Sequence, residues 1–89
     1  MKDILIEIIR DAIRNSSKYL FIKYLDDTYM MITKKHFKTM EDIITKNFNA
    51  DLYNDKTGNI IISAVAVDND EFTLEQIMHA LRVNTFFTK

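Results

Sequence analysis

Eighty-nine residues, 47% hydrophobic and 28% charged, suit one small globular domain spanning 1–89 and exclude a disordered chain or two separate cores. With no cysteine, disulfides, thiolate zinc sites and thiol catalysis are ruled out, and a formal net charge of −1 argues against a strongly basic nucleic-acid module or an acidic nucleic-acid mimic. No apolar run approaches the roughly 18 residues that span a bilayer, and Asp3 and Glu7 stand where a signal peptide would be basic, so a soluble, cytoplasmic protein with no membrane partner is expected.

The first helix is expected from Asp3, whose carboxylate suits a helix N-terminus, to about Arg14. Leu5, Ile8, Ile9, Ala12 and Ile13 give its inward stripe, and Glu7, Arg10, Asp11 and Arg14 its charged face. Ile4 and Ile6 widen the apolar surface beyond one stripe. They are either broadly buried or part of a contact with a partner or a second copy. Asn15, Ser16 and Ser17 end the helix by offering competing side-chain bonds.

Tyr19 to Leu25 and Tyr29 to Thr33 are aromatic and β-branched, and the polar turn Asp26-Asp27-Thr28 joins them into a first hairpin. Leu20, Ile22 and Tyr24 share one face of its first strand, and Tyr19, Phe21 and Leu25 the other. A central helix follows from His36 to Phe48. Phe37, Met40, Ile44 and Phe48 recur on its core side with Ile43 beside them, while Lys38, Glu41, Asp42 and Lys46 face solvent.

Residues 50–53 alternate as a half-buried strand and lead through Asn54-Asp55-Lys56-Thr57-Gly58-Asn59 into Ile60 to Val67, the strongest strand signal in the chain. Gly58 is the only glycine, placed where a positive φ closes the turn of a second hairpin. The alternation puts Ile60, Ile62, Ala64 and Ala66 on one face, so that Ile62 and Ile44 should share a core. Thr73 and Gln76 form a capping box for a last helix, with Leu74, Ile77, Met78 and Leu81 facing inward. Phe86 and Phe87 close the chain as either core residues or an exposed anchor. The expected fold is therefore α+β: a four-stranded antiparallel sheet from two hairpins, in the order α-ββ-α-ββ-α.

Chemistry is sparse. His36 and His79 have no partner at metal-ligand spacing, Glu75 one turn before His79 lacks a nucleophile or second acid, and Ser16, Ser17 and Ser63 lie in cap or strand contexts. No phosphate loop or dinucleotide fingerprint occurs, so neither an enzyme nor a cofactor is expected. Residues 1–48 hold nine Lys and Arg against seven Asp and Glu, and residues 49–89 hold three against six. Within the basic half, Lys18, Lys23, Lys34, Lys35 and Lys38 are candidates for a modest phosphate-binding edge.

The run FKTMEDIITKNFNADLYNDKTGNIIIS, preceded by YLFIKYLDDTYMMITK, resembles the C-terminal double-wing domain of the MotA family of phage middle-transcription activators. The likeness covers about residues 19–63 and rests on Phe37, Lys38, Met40, Glu41, Ile44, Lys46 and the Lys56, Gly58, Asn59 turn. It implies two hairpins acting as wings on DNA, with Lys34, Lys35 and Lys56 near them. Asp26, Asp27, Asp51 and Asp55 put acid at both wing tips, which weighs against DNA. The expectation is a non-enzymatic small binding protein. Its first role is a phage- or mobile-element-type regulator or inhibitor that meets a host protein through apolar anchors, with Phe86, Phe87, Ile4 and Ile6 as the candidates. The alternative is a double-wing DNA-binding regulator using the lysines, and a homo-oligomer is a third form the protein could take.

Overall fold

The computed structural model describes residues 1–86. The elements in chain order are α1 (Lys2–Arg14), β1 (Tyr19–Tyr24), β2 (Tyr29–Thr33), a 3-10 turn (Lys34–His36), α2 (Phe37–Asn47), β3 (Ile61–Val67) and α3 (Leu74–Val83). The strands make one antiparallel sheet in the order β2-β1-β3. The side chains of β1 alternate across it. Leu20 and Ile22 enter the main core with Leu5, Ile9 and Ala12 of α1 and Phe37, Met40 and Ile44 of α2, while Phe21 packs on the opposite face with Ile77 and Leu81 of α3. Two helices, a sheet and a third helix therefore form three layers.

The expected four-stranded sheet is not what forms: among the described residues it has three strands, and the second hairpin shrinks to a single bridge flanked by the Ile61 N–H to Leu52 O and Asn54 N–H to Asn59 O bonds. Residues 50–60 contribute only an isolated bridge between Tyr53 and Ile60. Local asparagine chemistry accounts for this. The Asn49 side-chain oxygen accepts from the Asp51 and Tyr53 amides at 2.9 and 3.1 Å, and the Asn49 carbonyl accepts from Leu52 N–H. Leu52 adopts φ 62° and is fully buried. Asn54 then accepts from Lys56 N–H through its side chain and from Gly58 N–H through its carbonyl. The Asn49 turn takes the amides of residues 51–53 that a strand would have used for its ladder, and leaves only Leu52 O and Asn54 N–H to pair with Ile61 and Asn59.

Further corrections follow from packing. α1 starts at Lys2 with no side-chain cap, which leaves Asp3 in the first turn, where it still favours the helix dipole. Its C-terminus closes through the backbone: Ser17 N–H bonds Ala12 O, Ser16 N–H bonds Ile13 O, and Ser16 sits at φ 54°. In β3 the register against β1 shifts between Lys23 and Tyr24, with Ile62 as the extra residue. That bulge moves Ile61 into the main core beside Ile44, while Ile62 is only half-buried. Glu41, expected in solvent, is buried between α2 and α1 with Arg10 at 3.6 Å and its Oε1 without a hydrogen bond. Leu74 is 69% exposed, whereas Ile77 and Leu81 bury as expected and the Thr73–Gln76 capping box is formed in both directions. Among the described residues no helix is long and apolar enough to cross a membrane.

Candidate interaction surface

The positions singled out in the sequence fall at the two edges and two ends of the sheet. Along the outer edge of β3 runs an open groove lined by Ile4 and Ile8 of α1, Ala64 and Ala66 of β3, and Val83 and Phe86. The chain after α3 turns back here. Phe86 N–H donates to Ile62 O at 2.8 Å, and Thr85 Oγ1 donates to the same carbonyl at 3.1 Å. Phe86 is thereby held half-buried against the main core, between the two alternatives the sequence left open. Ile4 is 55% exposed and Val83 65%. Ile6 packs partly buried against the main core, so of the two surplus isoleucines only Ile4 lines the groove. Phe87 lies outside the described residues.

The lysines do not gather on one face. Lys18, Lys34 and Lys35 line an open pocket with Asp70, Tyr19 and Thr33 at the end of the sheet where β1 begins. There Lys18 bonds Asp70 at 3.0 Å and the Tyr19 hydroxyl donates to it at 2.7 Å. These hydrogen bonds, from Tyr19 first and Lys18 next, hold the Asp70 carboxyl below the usual carboxylate range, and the same contact raises Lys18. Lys23 lies toward the other end. Its ammonium is 3.5 Å from Asp27 and sits over the Tyr29 ring at 5.6 Å. Lys56 lies in the turn after Asn54 and Lys38 is exposed on α2. Among the described residues Lys34, Lys35 and Lys38 have no ion-pair partner.

Sequence reasoning missed two features. The first is an apolar groove on the β2 edge, where Met30, Ile32 and Thr33 meet His36, Met40 and Ile43 of the following turn and helix. Its signal was present in Tyr29-Met30-Met31-Ile32-Thr33, a strand with no charged residue. The second is the Ser63 hydroxyl, fully buried and donating to Leu81 O at 2.6 Å, which ties the end of α3 to the bulged part of β3. His79 and Glu75 are both exposed on α3. No protein-family model matches this chain, and no curated protein or solved structure matches it.

Proposed function

We propose that this protein is a non-enzymatic binding module that works by protein–protein contact, as a small regulator or inhibitor of a host protein. The observation that supports this reading is the groove on the β3 edge. Ile4 and Val83 offer apolar surface to solvent there, and Phe86, which lines the same groove, is held against the core by a backbone hydrogen bond. An aliphatic and aromatic patch with a preformed wall suits a partner's apolar anchor, because little side-chain ordering is left to be done on binding. The test is affinity capture from host lysate with the full chain and with Ile4→Asp and Val83→Asp. Both changes are at exposed positions and should leave the fold intact. A partner retained by the parent chain and lost by both folded variants supports the proposal, and a partner retained by both overturns it.

A second reading, a DNA-binding regulator, is favoured by Lys34, Lys35 and Lys38, which are exposed and have no ion-pair partner among the described residues. It predicts duplex binding whose log K falls with log salt by about 0.9 per phosphate contact. Replacing Lys34 and Lys35 together with Glu should then abolish binding. Contact through an apolar groove would depend only weakly on salt.

A further inference from the structure

The two edges of the sheet are protected to different degrees. On β3, Ile62 O is engaged by Phe86 and Thr85 and the strand is bulged. On β2 there is no proline, bulge or charged residue within Tyr29–Thr33, the devices that ordinarily keep an edge strand from pairing. Tyr24 N–H bonds Thr28 O and Lys34 N–H bonds Lys18 O, so the antiparallel pattern turns Thr28, Met30, Ile32 and Lys34 toward β1. The amides and carbonyls of Tyr29, Met31 and Thr33 therefore point outward. Tyr29 and Met31 are also 43% and 53% exposed in their side chains.

We propose that β2 pairs antiparallel with β2 of a second copy across a two-fold axis at Met31, continuing the sheet to six strands. The register follows from the outward groups. Only the pairing of Met31 with Met31, and of Tyr29 with Thr33, brings all three outward-facing residues of each strand into hydrogen-bonded positions. The same register settles the occupant through charge. Acid lies just before β2 at Asp26 and Asp27, and base just after it at Lys34 and Lys35. Just past the strand ends, this register brings the turn bearing Asp27 of each copy to the 3-10 turn bearing Lys35 of the other, at both ends of the seam. The strand is thus electrostatically complementary to itself in the one orientation a two-fold axis produces. Asp27 is 84% exposed in its side chain, held only by Lys23 at 3.5 Å, and Lys35 has no ion-pair partner among the described residues, so Lys35 of a second copy can share or replace Lys23 at Asp27. Met30 and Ile32, with Met40 and Ile43 beside them, supply the apolar contact on the α2 face, and Tyr29 and Met31 on the other. This inference does not rest on the reading of the β3 groove, which lies across the sheet.

The experiment is sedimentation or light scattering over a concentration series from micromolar to millimolar, with circular dichroism to confirm folding. The parent chain is expected at twice the chain mass at the upper end. Met31→Lys should lose the dimer, since it sets like charges against each other on the axis. Asp27→Lys and Lys35→Asp should each dissociate alone, and mixing the two should restore a heterodimer, because positions 27 and 35 are then both basic in one chain and both acidic in the other. A parent chain that is monomeric throughout overturns the proposal. So does a dimer that persists in folded Met31→Lys, or a mixture that fails to recombine.

Discussion

Residues 19–33 and 49–60 carry comparable hairpin signals, yet only the first becomes a pair of strands, and the second stops at one bridge. In both, a short polar side chain accepts hydrogen bonds from the backbone two residues on: Asp26 from Thr28, and Asn49 and Asn54 from Asp51 and Lys56. The difference is where that side chain lies relative to the apolar run. Asp26 sits after the five residues of β1 that pair with β2 and simply reverses the chain. Asn49 sits immediately before its would-be strand and winds residues 49–53 into a turn, with Leu52 inverted to positive φ so that its side chain reaches the core. A turn former at the end of a strand makes a hairpin. The same chemistry at the start of a short one consumes it.

The largest expected effect tests what β3 does without a partner on its outer side. Ile61→Ala should cost about 2 to 5 kcal/mol and Ile44→Ala a similar amount, as both are fully buried in one core. Ile62→Ala, at the half-buried bulge, should cost only about 1 kcal/mol. Chemical denaturation of the three variants checks the order, and equal losses at Ile61 and Ile62 would place the bulge elsewhere.

Next in size is the turn that replaces the second hairpin. Gly58 has φ 77°, and a Cβ added there meets nothing within 4 Å, so Gly58→Val should destabilise by about 1 to 2 kcal/mol through backbone strain alone. A Val variant that melts with the parent chain would show that this loop relaxes to another shape. Asn49→Ala should cost about 1 kcal/mol and raise amide exchange at Asp51 and Tyr53 while leaving β1 protected. Uniform loss of protection across the sheet would contradict a local role for the turn.

The smallest effect concerns the first turn and its pH dependence. Hydrogen bonds from the Thr28 side chain and backbone lower the Asp26 carboxyl below its ordinary value. A depressed carboxyl stabilises the fold above the unfolded pKa and loses that contribution as pH falls through the folded one. Asp26→Asn should therefore flatten the acid limb of the stability curve slightly, read from thermal melts between neutral and strongly acid pH. A parallel acid limb in the variant would remove Asp26 from the balance. Asp70, lowered by Tyr19 and Lys18, adds a contribution of the same sign.

The helices, the first hairpin, the positive φ at Gly58 and the capping box at Thr73 were legible because each depends on neighbours within one or two turns of chain. That Ile4 and Ile6 exceed one helix face was visible too, but not that Ile4 stays exposed while Ile6 packs on the core. Which face each β3 residue occupies was not, because the bulge at Ile62 is set by pairing with β1, and one extra residue exchanges inside for outside. The buried Glu41 was hidden for a related reason: helical periodicity marks its side as polar, and only the approach of α1 with Arg10 covers it. The open edge of β2 is the clearest tertiary decision. Periodicity can identify a strand, but whether its outer amides meet another strand depends on the order β2-β1-β3, which is fixed by how α1, α2 and α3 cover the two faces.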